Sequence, residues 1–177
     1  SAKAAGFAAV DTAAADIALI AFTSGTTGVP KGALHSHRDV MSICACFPRH
    51  ILEAGADDIF CGPSPLAFTF GLGGLLLFPL SLGAAALLLP QPSPESLLRA
   101  IAARRATTLF ATPTFYRQML PLAAGFDLSS LRRCVSAGEP LPAATVEQWR
   151  EATGIPLIDG IGSTEMLHIF ISARAAE

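Results

Sequence analysis

The stretch Ile17-Ala18-Leu19-Ile20-Ala21-Phe22-Thr23-Ser24-Gly25-Thr26-Thr27-Gly28-Val29-Pro30-Lys31-Gly32 limits the fold more than any other. Its first half is an apolar run of strand length. Its second half switches to hydroxyls, glycines and one lysine. A strand that empties into such a loop is a device for holding phosphate. The strand fixes where the loop starts, and Gly25 and Gly28 let the backbone approach an anion and reach positive φ. Turned-in backbone N–H groups form an anion-binding concavity. Thr23, Ser24, Thr26 and Thr27 add donors, and Lys31 adds a point charge suited to phosphate. The order is not that of a Walker A loop, where Gly-Lys-Ser/Thr runs together. Here Pro30 separates Gly28 from Lys31, and Gly32 follows the lysine. The structural alternative is a Gly/Thr-rich surface turn.

The remaining chain alternates between strand and helix signals. Asp16 to Phe22 reads as the first strand. His37 to about Leu52 has helical periodicity, with Pro48 predicting a kink or early stop. Residues 57–62 read as a short strand, 71–82 as a helix, Gly83 as a turn and 84–89 as a strand. Ser93 is a predicted N-cap with Pro94 at the first helical position, for a helix to about Arg105. Strands are expected at 107–111, 132–136, 156–160 and 168–172. Helices are expected at 113–124 and 142–153, the latter closed by Gly154. This alternation predicts an α/β fold, a mainly parallel sheet with helices on both faces. Ligands of such sheets bind at the carboxyl ends of strands, so residues just after strands carry the chemistry. The segments that qualify are 23–31, 66–71, 137–142 and 160–165.

Charged residues make up 15% of the chain and hydrophobic ones 51%. That is low in charge for a monomer wholly surrounded by water. Either the chain crosses a membrane or much of its surface meets something else. Residues 71–89 approach span length, but Pro79 and Gly83 interrupt them and no Lys/Arg flank marks either side. They read as a helix and strand buried in the core, so no membrane span is expected. The net charge of −2 gives no basic footprint for nucleic acid. Cys44, Cys46, Cys61 and Cys134 have neither disulfide nor zinc spacing, which points to reduced thiols in a cytoplasmic protein. Residues 1–15, Ala-rich and without a signal-peptide pattern, are read as a lead-in linker to an α/β unit over 16–177.

Further motifs sit after the later strands. In Asp159-Gly160-Ile161-Gly162-Ser163-Thr164-Glu165 the glycines allow a flat approach to a planar ligand. Glu165 is an oxygen ligand suited to Mg²⁺; a Gly-rich turn with a solvated Glu is the alternative. Ser136-Ala137-Gly138-Glu139-Pro140 is a strand-to-helix turn. Ala67-Phe68-Thr69-Phe70-Gly71 reads first as aromatic packing before a buried helix. His168, in an apolar run, reads as a core histidine. His35 and His37 lack the further ligands a metal needs and read as loop and helix-start residues. Arg104-Arg105 and Arg132-Arg133 read as solvated faces.

The order Thr-Ser-Gly-Thr-Thr-Gly-x-Pro-Lys-Gly resembles, without a gap, the signature loop of the adenylate-forming superfamily. That superfamily includes acyl-CoA synthetases, luciferases and peptide-synthetase adenylation domains. The resemblance implies that Thr23 to Gly28 and Lys31 hold the β- and γ-phosphates of ATP. Residues 159–165 look like the superfamily's aromatic-Gly-x-Thr-Glu motif, implying that Thr164 contacts the α-phosphate and that Glu165, with Thr23, serves Mg²⁺. Asp159 stands where many members carry an aromatic beside adenine. Ala137, Gly138 and Glu139 resemble the adenine-binding turn, completed by Asp159, Gly160 and Gly162. Thr69, Phe70, Gly71, Ile161 and His168 fall where such enzymes line the acyl pocket. The flanks of these motifs are similar to CoA ligases for benzoate and 2-aminobenzoate. The implied activity is conversion of an aryl carboxylate to acyl-AMP and transfer to CoA, with Lys31, Thr164 and Glu165 as catalytic residues. A carrier-protein thiol in place of CoA, or a non-catalytic nucleotide- or acid-binding module, are the alternatives. No counterpart of the family's ribose-binding Asp or lysine-bearing C-terminal lid is found by Glu177. The expected partner is therefore the remainder of a longer chain, the isolated piece being inert and able to dimerise through apolar surface.

Overall fold

The computed structural model describes residues 6, 8–23 and 28–173. Its centre is a six-stranded sheet in the order β4-β3-β5-β6-β7-β8. The strands are β3 (Ile59–Cys61), β4 (Ala85–Leu87), β5 (Thr108–Ala111), β6 (Arg133–Ala137), β7 (Leu157–Gly162) and β8 (Ile169–Ser172). Neighbours run parallel, with Phe60 opposite Thr108, Leu109 opposite Cys134 and Val135 opposite Ile158. Only β8 is antiparallel, with Ile161 opposite Ile171.

The two-residue period of a strand sends neighbours to opposite faces, and here it divides the core in two. Cys61, Leu109, Ala111, Cys134 and Leu157 pack with α4 (Pro94–Arg104), α5 (Pro113–Ala123) and α6 (Ala143–Thr153). Phe60, Phe110, Val135 and Ile158 pack on the other face with α1 (His37–Cys46) and α3 (Phe78–Leu82). Helices thus cover both faces, as the unbroken apolar strands require. Local chemistry sets the helix ends. Ser93 caps α4 in a capping box with Ser96, with Pro94 inside the first turn. Gly83 and Gly154 end α3 and α6 in the left-handed conformation, at φ 69° and 74°.

Two helices change their winding. After α1 the chain widens into a π-turn at Phe47–Ile51, where the Leu52 N–H reaches the Phe47 carbonyl. Pro48 has no N–H to give the preceding turn, so the helix widens there and does not stop. A second π-turn, Gly73–Leu77, joins α2 (Thr69–Leu72) to α3. The apolar stretch 71–89 is therefore a broken helix, a glycine turn and β4. No helix among the described residues is long and apolar enough to cross a membrane.

The largest departure from the sequence reading is at the start. β1 (Ile17–Thr23) does not join the main sheet. It pairs antiparallel with β2 (Lys31–Ser36), with Ile20 opposite Leu34 and Thr23 opposite Lys31. The segment read as loop before α1 is thus a strand, and the phosphate-type loop spans a hairpin. Ile20, Phe22 and Leu34 are more than half exposed on it. Ser36 then caps α1 in a capping box with Asp39.

Arg132-Arg133 also differ from the solvated reading. Asp58 is 3% exposed and accepts from Arg132 at 2.7 Å, Arg133 at 2.9 Å and Thr107 Oγ1 at 2.6 Å. Arg133 also donates to the carbonyls of Leu52 and Glu53. This buried charge cluster ties β3, β5 and β6 at their amino ends, away from the site. Cys44, Cys61 and Cys134 are buried free thiols and Cys46 is exposed. Burial pushes the Cys134 thiol up to about 12.

Candidate functional site

The carboxyl ends of β6 and β7, the turn 163–168, the entry to α2 and the end of β1 line a half-open cavity of about 250 Å³. Of the residues singled out in the sequence, Thr69, Phe70, Ala137, Gly138, Gly162, Thr164 and His168 line it. Ala21, Phe22, Phe68, Ser163 and Ile169 also line it.

His168 forms the deep wall. It is 2% exposed, and its Nε2–H donates to the Phe70 carbonyl at 3.2 Å. Its ring stacks on Phe70 at 5.6 Å and meets the edge of Phe78 at 4.6 Å. Phe47 and Phe110 complete an aromatic cage at 5.8 and 5.9 Å. Burial pushes its pKa down to about 4, against the pull of the Phe70 carbonyl. The ring is therefore neutral at physiological pH and acts as a flat, weakly polar surface. Its Nδ1 is buried without a hydrogen-bond partner. Small residues make room for this ring. A Cβ on Gly73 would collide with His168 Cδ2 and stand 3.0 Å from Nε2. A Cβ on Gly74 would lie 2.8 Å from the Phe110 ring.

The polar rim is built by turns. Gly138 leaves β6 at φ 87°, a conformation favouring glycine. Thr164 sits in a turn closed by the Leu167 N–H on its carbonyl at 3.1 Å. Leu167 is 1% exposed and holds φ 65°, rare for a leucine. The same Thr164 carbonyl accepts a 2.8 Å bond from His35 Nε2. His35, read as a loop residue, is in fact a β2 residue only 3% exposed.

Other singled-out residues lie elsewhere. Gly71 does not line the cavity; a Cβ there would strike the Pro65 carbonyl, so it lets α2 start against that loop. Glu139 is exposed and turns to the start of α5, accepting from Thr114 N–H at 3.2 Å and Thr114 Oγ1 at 2.6 Å. Asp159 and Ile161 belong to β7 and are exposed. The Asp159 carbonyl accepts from Ser172 Oγ at 2.6 Å. Gly160 is buried, where a Cβ would lie 2.7 Å from Ile169. Glu165 is exposed at the turn. Thr23 and Lys31 face each other across the hairpin, and Gly28 holds φ 79°. Ser24, Gly25, Thr26 and Thr27 lie outside the described residues. No group of three or more His, Cys, Asp or Glu able to hold a metal occurs among the described residues.

Sequence reasoning missed His35, Phe22 and Gly73. His35 carried no periodic signal, because its burial comes from a partner 129 residues away. Gly73 carried one: a glycine pair inside an apolar helix costs about 1 kcal/mol per residue and calls for a packing reason.

A benzoate–CoA ligase of Thauera aromatica is 37% identical over 174 residues, covering 97% of this chain and 33% of the relative. An anthranilate–CoA ligase of Pseudomonas aeruginosa is 40% identical over 157 residues, covering 88% of this chain and 30% of the relative. The crystal structure of the anthranilate CoA ligase AuaEII in complex with anthranoyl-AMP superposes with a TM-score of 0.92 at 40% identity, over 97% of this chain and 34% of that one. The chain thus spans about a third of the length of these relatives. Residues 2–177 match the AMP-binding enzyme family, and the chain belongs to that family.

Proposed function

We propose that this chain is the part of an acid–CoA ligase that binds an aryl carboxylate against ATP and forms the acyl-AMP. The observation that carries the reading is the cavity itself. About 250 Å³ is smaller than the roughly 300–1,000 Å³ of drug-sized sites and suits a single ring. Phe70 and the neutral His168 offer that ring flat faces, while Thr164 and Gly138 stand at the rim. Gly71, where a Cβ would strike the Pro65 carbonyl, lets the chain that carries Phe70 pack against that loop. The benzoate and anthranilate specificities of the relatives agree with an aromatic acid.

In the first step a carboxylate oxygen forms a bond to the α-phosphorus, and the bond to the bridging oxygen breaks with its electron pair leaving on pyrophosphate. Catalysis of such a step is mostly positioning and charge stabilisation. Thr23 to Gly28 and Lys31 hold the leaving pyrophosphate, Thr164 the α-phosphate, and Ala137 to Glu139 with Asp159, Gly160 and Gly162 the adenine side. The CoA thiolate then attacks the acyl carbon and AMP leaves. Glu165 and the Thr23 hydroxyl are the oxygen donors that would hold Mg²⁺, a metal suited to one or two carboxylates beside phosphate. Bound there, the metal would offset phosphate charge.

Relatives that run about three times longer, and many exposed apolar residues, support a site completed by further chain. The 177-residue piece alone is then inert in thioester formation, self-associates through its apolar faces, and belongs to a cytoplasmic enzyme. A second reading has the aryl-AMP as end product or a carrier-protein thiol as acceptor. Its first form, the aryl-AMP as end product, is favoured by 35% identity to a p-hydroxybenzoic acid–AMP ligase of Mycobacterium marinum. Calorimetry with ATP and with a hydrolysis-resistant benzoyl-AMP analogue tests binding. The proposal expects both to bind, Lys31→Ala to weaken ATP, and benzoate and 2-aminobenzoate to bind better than cyclohexanecarboxylate or short fatty acids. Preference for alkyl acids would refute the aryl slot. Thioester formation by the purified piece would refute its inertness.

A further inference from the structure

His35 is the one fully buried side chain in the described part of the hairpin; its β2 neighbours are exposed or half-buried. The hairpin shares no strand pairing with the main sheet. Its base is held by backbone bonds from His37 N–H to the Asp16 carbonyl and from Arg38 N–H to the Ala14 carbonyl. Farther along β2, His35 Nε2 reaches the Thr164 carbonyl at 2.8 Å. The acceptor is a carbonyl, so Nε2 must carry the proton. That carbonyl also closes the turn whose Leu167 is held at φ 65°. Such a conformation is strained for a leucine and persists only where its surroundings fix it.

We propose that His35 is a positioning residue that locks the Thr164 turn to the phosphate-type hairpin. One imidazole then sets the distance between the strand ends Thr23 and Lys31, assigned to pyrophosphate, and the threonine assigned to the α-phosphate, the two sides of the bond that breaks. This assignment of the two sides rests on the function proposed above; the tie itself does not. Among the described residues the hairpin's other hydrogen bonds to the rest of the chain lie at its base, so loss of the tie leaves Thr23 and Lys31 farther from a polar anchor.

Three measurements on the 177-residue chain test this. Imidazole ¹⁵N shifts of the unaltered protein are expected to show His35 protonated at Nε2; an Nδ1-protonated ring overturns the proposal without any variant. Amide exchange over 163–168 is expected to be about tenfold faster in His35→Leu, the size of one lost neutral hydrogen bond. His35→Gln, which keeps a donor at similar reach, is expected to restore it. Exchange unchanged in His35→Leu, or equally fast in both variants, overturns the proposal. ATP affinity is expected to fall about tenfold in His35→Leu and to recover in His35→Gln. Faster exchange with undiminished ATP affinity overturns the phosphate-positioning role. A parent chain that binds no ATP counts against the nucleotide reading alone, and the tie is then judged on exchange.

Discussion

Gly73 supports the aromatic cage, and a double-mutant cycle can read that support. Its backbone is helical, at φ −65° and ψ −56°, so alanine fits the chain without strain. Taken alone, Gly→Ala in a helix gains about 1 kcal/mol. At Gly73 the new methyl would collide with His168 Cδ2 and crowd Nε2 at 3.0 Å and Cγ at 3.1 Å. The ring has little room to retreat, since Phe78 stands at 4.6 Å, Phe70 at 5.6 Å and Phe47 at 5.8 Å. Overpacking of this kind costs about 1–3 kcal/mol. Gly73→Ala alone should therefore change stability by about 0 to 2 kcal/mol, in the destabilising direction. In a His168→Ala background the clash is gone, and the same substitution should stabilise by about 1 kcal/mol. The sign thus changes with the background, for a coupling of about 1–3 kcal/mol. Urea unfolding of the four chains at neutral pH measures it, with equal denaturant slopes confirming comparable unfolded states. If Gly73→Ala has the same effect in both backgrounds to within about 0.5 kcal/mol, the ring does not rest on Gly73.

His168 should make stability depend on pH. Its folded pKa of about 4 lies below the ordinary 6.5, so between these values the unfolded chain binds a proton that the folded chain refuses. Stability should fall as pH drops from about 6.5 to about 4, by about 3 kcal/mol at most. His168→Phe should flatten that slope, and an unchanged slope would assign it to other groups. Asp58 should act at lower pH. Burial raises its pKa, but hydrogen bonds from Thr107 and Gly55 and the charges of Arg133 and Arg132 outweigh this and hold it below the ordinary carboxylate range. Its contribution is present above the unfolded pKa and disappears as pH falls through the folded one. Asp58→Ala should cost about 3 kcal/mol, the lower end for breaking a buried pair because Arg132 stays half-exposed. That corresponds to a fall in Tm of about 6–12 °C by calorimetry, and a loss under about 1 kcal/mol would show the cluster to be solvated. Ile20 and Leu34 face each other across the hairpin and are exposed. Ile20→Lys with Leu34→Glu should shift the chain toward monomer in sedimentation velocity, and an unchanged distribution would clear this face of any role in association.

Much of the scaffold was legible because its signals are local. Ser93 and Pro94 start a helix, and Gly83 and Gly154 end two, whatever lies around them. Short apolar runs between helix signals read as strands buried on both faces, so the parallel sheet and its ligand-bearing ends followed. The motifs at 23–32, 136–142 and 159–165 carried the family through their resemblance to its signature sequences.

The sequence by itself thus determined the α/β order, the helix ends and the family. Tertiary structure alone decided which of those residues meet. Whether β1 joins the main sheet or folds back on β2 depends on pairing energies that both partners offer equally in sequence. Whether Arg133 is solvated depends on Asp58, 75 residues away in the chain. His35 is buried because Thr164 offers a carbonyl to it, and His168 stays neutral because four phenylalanines and a glycine exclude water around it. Desolvation and partner choice are properties of a place in space, and no single position in the chain encodes them.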